Sequence, residues 1–399
     1  MSVFNNLCTV GFLARFSYAL ARNPVLPLFA LFLGAGPEAI GLAVGISTVT
    51  GIIFKLPAGA LSDVVGRRRT MLAGLVVFGV MPFFYLFIET YSALVIVRFL
   101  HGLATAIYGP VAMAVVAEVA GSRKGELLSW FSSVGIIGTL LGAPIGGFLL
   151  DVGTKSGPVM WQFRVVFALS ALSGVAALVL GLRTLGIQER VEHGLGFGER
   201  LHRFREGIRE VLSDKRIVTT SSMEGVQNMT MGALEAFLPV YAVTVVGLSQ
   251  FQAGLLWGVQ IVVTMFSKPL MGMVSDSHGR RPLIVVGLVL CGVSFATVPF
   301  MHNFWTLLAA SLVFGLGEAF VTSSSAAMVA DLCRERHFGS AMGAFGTIFD
   351  VGHASGPILG GLLVGWMGYQ ISFPLMAVVL LLAIPVFLKF VPKDEAHAS

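Results

Sequence analysis

Two stretches decide how this chain is read: "GALSDVVGRRRTM" at residues 59–71 and "GMVSDSHGRRPLI" at residues 272–284. Each sets an Asp, a Gly and a short run of Arg between long apolar segments, and the two lie 213 residues apart. The flanks on either side are too apolar for water. The chain is 56% hydrophobic and 12% charged over 399 residues, with a mean hydropathy of +0.86, which points to a bilayer as its solvent. A helix crossing a hydrocarbon core about 30 Å thick needs about 20 apolar residues, because no water is present there to satisfy its backbone. Twelve segments qualify, at 8–34, 40–61, 70–88, 92–118, 127–150, 163–184, 217–247, 251–274, 283–301, 304–331, 340–367 and 371–391. The expected class is an all-α membrane protein with twelve transmembrane helices.

Lys and Arg concentrate in the cytoplasmic loops of such proteins. With the N-terminus inside, those loops hold Arg67, Arg68, Arg69, Arg123, Lys124, Arg280, Arg281, Arg334 and Arg336, while the outer loops hold little beyond Lys155 and Arg164. Both termini are therefore expected in the cytoplasm and the protein in the cytoplasmic (inner) membrane. The net charge of +5 follows from topology and implies no nucleic-acid partner. "MSVFNNLC" lacks the basic region and cleavage site of a signal peptide, so the first helix is expected to be retained. Cys8, Cys291 and Cys333 are too scattered for a metal site and read as packing residues.

The second half repeats the first. A shift of 213 carries Lys55 onto Lys268, Gly59 onto Gly272, Asp63 onto Asp276, Gly66 onto Gly279, Arg67 onto Arg280, Gly102 onto Gly315 and Glu118 onto Asp331. After one inserted residue, a shift of 214 carries Gly138, Gly142, Gly146 and Gly147 onto Gly352, Gly356, Gly360 and Gly361. The expected domains are 1–184, a six-helix bundle; 185–216, a cytoplasmic linker; and 217–399, a second six-helix bundle with a short tail. The linker places Phe197, Leu201, Phe204, Ile208 and Leu212 at helical spacing, as an amphipathic helix lying on the inner leaflet would. Six being even, the two halves keep one orientation, a parallel repeat of the kind that transporters rock about a central site.

These residues carry a resemblance: over essentially its whole length the chain resembles a major facilitator superfamily transporter. "GALSDVVGRRRTM" and "GMVSDSHGRRPLI" resemble the signature of the loops after the second and eighth helices. "RFLHG", Arg98 to Gly102, resembles that of the fourth helix. "GIIGTLLGAPIGG" and "GHASGPILGG" resemble the glycine and proline pattern of the fifth helix, which in this family implies exchange of substrate for protons. The first copy departs from it, with Ala143 where Pro is usual and Pro144 after it; in the second, Gly356 and Pro357 fit. The resemblance implies the major facilitator fold, two pseudo-symmetric six-helix bundles, with the first, fourth, seventh and tenth helices lining a pathway.

In the repeated turn, Gly59 and Gly272 are expected to let helices approach, and Gly66 and Gly279 to adopt positive φ. Asp63 and Asp276 can meet a guanidinium or a helix end. Arg67 with Glu118, and Arg280 with Asp331, are expected at the cytoplasmic edge as latches that hold that side shut, the bland alternative being that the arginines only set topology. Gly138, Gly142, Gly146 and Gly147 leave one helix edge nearly bare for close packing, and Pro144 can bend it. Their repeats at Gly352, Gly356, Gly360 and Gly361 suggest a paired hinge or seal.

Ionisable groups within spans are costly and face a cavity or a partner. Arg15, Tyr18 and Arg22 share one helix face, as do Arg98, His101 and Thr105. Glu224, Gln227, Asn228 and Glu235 share another, and Ser311, Glu318, Thr322 and Ser325 a fourth; Asp350 and His353 lie near mid-depth. The substrate-cavity candidates are Arg15, Tyr18, Arg22, Arg98, His101, Thr105, Gln227, Asn228 and His353. The proton-coupling candidates are Glu235, Glu318 and Asp350, with Arg22 a partner for Glu235 by depth. A carboxylate that loses a basic partner in a desolvated site can take up a proton, which ties a proton gradient to movement. A static ion pair is the alternative role for each. Glu224 is read nearer the inner surface, where snorkelling accounts for it as well as function does. Lys55 and Lys268 are expected near the inner interface.

No phosphate-binding loop, nucleophile motif or metal-ligand cluster is evident, so neither enzyme activity nor a cofactor is expected. The expected function is proton-coupled export of small amphiphilic organic compounds by rocker-switch alternating access, with a small-molecule substrate, protons and the lipid bilayer as partners, acting as a monomer. Alternatives are a transporter, importers included, of an anionic or zwitterionic solute, and a lipid flippase or non-transporting membrane receptor.

Overall fold

The turn at Gly66 ends one helix and starts the next with φ at 107°, and the turn at Gly279 does the same at 88°. Both lie in the left-handed region that favours glycine. The computed structural model describes residues 2–120, 123–153, 157–184, 198, 213–333 and 338–391. The linker helix expected over 185–216 falls almost wholly outside them, as do Lys155, Arg334 and Arg336, and the side chains of Asp63 and Lys124 are likewise not described.

The described helices are α1 (Ser2–Leu20), α2 (Val25–Phe32), α3 (Pro37–Val65), α4 (Arg67–Tyr85), α5 (Tyr91–Ala120), α6 (Lys124–Asp151), α7 (Met160–Thr184), α8 (Lys215–Thr244), α9 (Gln250–His278), α10 (Arg280–Thr297), α11 (Phe304–Leu332), α12 (Phe338–Met367) and α13 (Tyr369–Phe390). No strand occurs among the described residues. The first span, expected to be continuous, is broken between α1 and α2 at Pro24, which has no N–H to continue the ladder. Side chains cap several helix starts: Asp214 accepts from the backbone N–H of Arg216, Ser249 Oγ from that of Gln252, and Asn303 from that of Thr306. Nine helices are long and apolar enough to cross a membrane among the described residues. The first span falls short because it is broken, α4 because it opens on three arginines, and α8 because it carries a polar stripe.

The chain forms two compact units. Unit one is Met1–Ala35, Ile46–Leu201 and Ser249–Leu255; unit two is Gly36–Gly45, His202–Leu248 and Leu256–Ser399. Inside each, the same pairs of helices pack. α1 lies against α6 and α7, and α4 against α5 and α7; correspondingly α8 lies against α12 and α13, and α10 against α11 and α13. The glycines set these crossings. A Cβ on Gly138 would come within 2.8 Å of the Phe12 carbonyl oxygen of α1, and one on Gly352 would overlap the Gly225 carbonyl of α8. Phe12 and Gly225 are themselves 213 residues apart, so the repeat read in sequence is a repeat of backbone contacts. Gly102 against Ser47, and Gly315 against Gln260, duplicate another crossing. Gly59 and Gly272, expected to permit close approach, have nothing within 4 Å of a Cβ among the described residues. Their stretch of helix leaves room on that side.

Polarity is arranged for lipid. Trp366, Phe87 and Trp305 are 81%, 79% and 74% exposed, whereas Arg98, Glu224 and Gln227 are fully buried. Buried hydroxyls join helices directly: Ser17 Oγ donates to the Ser170 carbonyl and Ser170 Oγ to that of Ser17, both at 2.7 Å. Each such bond contributes about 0.6 kcal/mol inside a membrane.

Candidate functional site

In unit two the polar stripe of α8 meets that of α11. Glu224, for which the sequence left snorkelling and function equally open, is fully buried. Its Oε1 accepts from Thr322 Oγ1 at 3.0 Å and from Asn228 Nδ2 at 3.3 Å. Its Oε2 is buried without a hydrogen-bond partner among the described residues. One helical turn from Thr322 on α11, Glu318 Oε2 accepts from Thr264 Oγ1 at 3.1 Å, and Lys268 Nζ stands 4.0 Å from Glu318 Oε1. Glu224, Glu318 and Lys268 are close enough to act on one another electrostatically. Asn228 is held in place by Gln227, whose Oε1 accepts from Asn228 Nδ2 at 3.1 Å. The helical step of four residues puts Asn228 over Glu224 and Thr322 over Glu318, so the pairs form because two polar ladders face each other.

What this arrangement can do follows from its donors. A threonine hydroxyl donates to a carboxylate and, by rotating, accepts from a carboxylic acid. Glu224 and Glu318 each touch such a hydroxyl, so either can gain or lose a proton without losing its hydrogen bond. Further along α8, Glu235 Oε2 lies 3.0 Å from His353 Nε2 of α12, with the two side chains 3% and 12% exposed. Asp350 lies half-buried one turn before His353.

Unit one holds a different arrangement. Arg98 is fully buried, its Nη2 donating to Ser47 Oγ at 2.6 Å and its guanidinium 5.5 Å from the Tyr18 ring. His101 packs edge-on to Tyr18 and shares a hydrogen bond of 3.2 Å between its Nδ1 and Tyr85 Oη. Arg22 lies 5.7 Å from the same Tyr18 ring. Thr105 Oγ1 donates to the carbonyl of Gly102 on its own helix, at 3.1 Å. Tyr18, Arg98 and His101 thus form one interior cluster. Arg15, one turn before Tyr18 on α1, is exposed and lines a cavity of about 260 Å³ together with Tyr108.

At the repeated turns, Arg67 Nη1 meets Glu118 Oε1 at 2.6 Å; Arg280 meets Asp276 Oδ1 through Nη1 and Asp331 Oδ2 through Nε, both at 2.6 Å. Each set ties helices of its own unit, α4 to α5 and α9 and α10 to α11. Asp151 was not singled out in sequence. Its carboxylate accepts from the backbone N–H groups of Gln250 at 3.0 Å and Phe251 at 2.8 Å, both residues belonging to unit one. The signal available in sequence was an acid at the end of the glycine-rich helix, facing a segment that opens with Ser249 and Gln250. Gly147 beside it packs on the Gln250 carbonyl, and its repeat Gly361 on that of Pro37.

Known proteins share this fold. The profile of the Major Facilitator Superfamily matches residues 7–270 and 247–399. An uncharacterized MFS-type transporter of Methanocaldococcus jannaschii is 23% identical over 393 residues, spanning 95% of this chain and 93% of that protein. The human synaptic vesicular amine transporter is 23% identical, spanning 89% of this chain and 68% of its own. The quinolone resistance protein NorA of Staphylococcus aureus is 22% identical, spanning 85% and 84%. Among solved structures, the nucleoside transporter NupG superposes with a TM-score of 0.78 at 14% identity, covering 99% of this chain and 100% of that one. A bacterial homologue of the human lysosomal transporter Spinster superposes at 0.77 with 15% identity, covering 97% and 95%. At these identities the superpositions establish the fold.

Proposed function

We propose that this chain, which belongs to the major facilitator superfamily, is a proton-coupled exporter of small amphiphilic organic compounds, with Glu224 and Glu318 as its proton-handling pair. It is a multi-pass membrane transporter; its coupling, direction and cargo are what we propose. The observation that carries the proposal is the Glu224 carboxylate, fully buried, one oxygen on Thr322 and Asn228 and the other without a partner among the described residues. A carboxylate in that setting is costly as an anion and ready to accept a proton or an organic cation. Glu318, 4.0 Å from Lys268 and bonded to Thr264, supplies the second acid one turn away. Thr322 and Thr264 keep both acids hydrogen-bonded in either protonation state. An amine transporter and a quinolone resistance protein among the relatives support an organic cargo.

In this reading the loops bearing Arg67 and Arg280 face the cytoplasm, as do both termini, in the cytoplasmic membrane of the cell. Protonation from outside empties the acid pair of cargo, and proton loss inside readies it for the next molecule, while the bundles alternate access in a rocker-switch. Glu235 with His353, and Asp350, are secondary candidates for the proton's route.

Purified protein in proteoliposomes with an imposed pH gradient tests this, with ethidium as the cargo probe. Native protein is expected to move ethidium against the proton flow, and Glu224→Gln or Glu318→Gln to cut that flux at least about tenfold, the scale of one lost ionic contact. Flux at the native level in the Glu224→Gln/Glu318→Gln double variant sinks the assignment.

A further inference from the structure

The two units place opposite chemistry at one repeated position. Under the 213-residue shift, Gly11, Arg15 and Gly109 of unit one stand where Glu224, Asn228 and Thr322 stand in unit two. The shift is valid there, because Gly138 packs on Phe12 as Gly352 packs on the residue 213 further along, Gly225. In unit two the position is filled by hydrogen-bonded side chains. In unit one Gly109 has nothing within 4 Å of a Cβ, Gly11 packs against the Phe131 ring, and between them lies a cavity of about 260 Å³ whose lining includes Arg15, Tyr108, Phe131, Ser132 and Thr139.

From this geometry we infer that the cavity is an anion-binding subsite that takes a carboxylate or phosphate group carried on a small apolar body. Arg15 is exposed in the wall of the cavity, and no salt bridge joins it to a carboxylate among the described residues. A guanidinium within a membrane span is stable only with a partner or a polar cavity, and its planar fork of N–H donors matches an oxyanion bidentately. The Tyr108 hydroxyl is the second donor: the residue is 3% exposed, and its oxygen is buried without a hydrogen-bond partner among the described residues. Arg15 and Tyr108 lie near enough to interact electrostatically. Thr139 Oγ1 is committed to the Gly135 carbonyl at 3.3 Å, leaving its methyl, Phe131, Met113 and Ile136 as apolar walls.

Gly109 leaves open space, and Gly11 and Gly135 let Phe131 and Arg15 pack close to the backbone around it. A Cβ on Gly11 would come within 2.8 Å of the Phe131 ring and 3.5 Å of the Tyr108 oxygen, and one on Gly135 within 3.5 Å of the Arg15 side chain. A cavity of this size suits one ring with its acid group. One turn nearer the arginine-bearing ends of the same helices, a second cavity of about 510 Å³ is lined by Asn5 and Cys8 of α1 and by Leu127 and Trp130 of α6, which would serve as an approach. The inference rests on the transport reading and adds to its cargo compounds that carry an acidic group.

Benzoate and phenyl phosphate are titrated into the full chain in phosphatidylcholine nanodiscs by calorimetry, with no pH gradient. Both are expected to bind, with Arg15→Gln weakening the affinity at least about tenfold and Tyr108→Phe roughly fivefold, as loss of a charged and a neutral donor would. If neither binds but adding phosphatidylglycerol raises the melting temperature of native protein and not of Arg15→Gln, the occupant is a lipid headgroup of the same chemistry, which upholds the subsite. If benzoate, phenyl phosphate and phosphatidylglycerol all fail to distinguish native protein from Arg15→Gln, the subsite is overturned. Should Arg15→Gln not fold, Tyr108→Phe gives the same decision, since it removes only one oxygen. Binding at equilibrium is read apart from ethidium flux, so this proposal and the proton-coupling assignment fail separately.

Discussion

Thr322 and Glu224 lie 98 residues apart in the chain and are joined by a hydroxyl-to-carboxylate hydrogen bond of 3.0 Å between α11 and α8. That bond, more than any single acidic residue, defines the site, because it sets a buried acid one turn from Glu318.

Thr322→Val keeps the shape and removes the donor. Glu224 Oε1 then keeps only Asn228, and thermal melts are expected to show a loss of about 1–2 kcal/mol, with pH-driven ethidium flux falling several-fold. A Thr322→Ser variant, which restores the hydroxyl, is expected to recover most of the flux. Equal flux in native protein and Thr322→Val removes the bond from the mechanism.

Glycine positions differ sharply in what they tolerate. Gly352→Ala places a methyl onto the Gly225 carbonyl, which is backbone and cannot step aside. The cost is expected at about 2–3 kcal/mol or more, read as a lower melting temperature and reduced yield of folded protein. Gly346 on the same helix has nothing within 4 Å of a Cβ, so Gly346→Ala is expected to be neutral or to stabilise by up to about 1 kcal/mol through helix propensity. Similar melts for the two variants contradict the packing argument.

Arg280 holds two carboxylates with different nitrogens, Nε on Asp331 and Nη1 on Asp276. A lysine is a single point donor and cannot reproduce that fork. Both acids are largely exposed, so Arg280→Ala is expected to cost no more than about 1 kcal/mol, and less in high salt. Arg280→Lys is expected to recover under half of it, and a double-mutant cycle with Asp331→Ala measures the coupling directly.

Asp151 caps the first turn of α9 through two backbone N–H groups. Removing it in Asp151→Ala is expected to cost about 1–2 kcal/mol. Hydrogen exchange at the Gln250 and Phe251 amides is expected to accelerate with it. Asp151→Asn, which retains one acceptor oxygen, is expected to fall between; unchanged exchange in Asp151→Ala would show the cap to be incidental.

The spans and the duplication were legible in the sequence for local reasons. Hydropathy over some 20 residues reports whether a helix can cross a bilayer, and a Gly that must take positive φ marks its own turn, as Gly66 and Gly279 do. Arg67 with Glu118 and Arg280 with Asp331 were also named together, because the repeat placed each charge at the same helix end. The failures are equally physical. For Glu224, snorkelling and function stood equal because depth along a helix was counted without its neighbours; packed against Thr322, it is fully buried. Gly59 and Gly272 looked like packing glycines although nothing packs there among the described residues.

Composition and periodicity alone therefore determined the membrane class, the twice-used six-helix plan and the charged turns, since each depends on residues close in sequence. Tertiary structure alone decided which polar faces meet: the hydroxyl that serves Glu224, the cap that Asp151 provides, and the cavity beside Arg15 and Tyr108. Those outcomes depend on the rotation of one helix against another, and a helix with buried residues on most of its circumference carries no local mark of which side will face a partner.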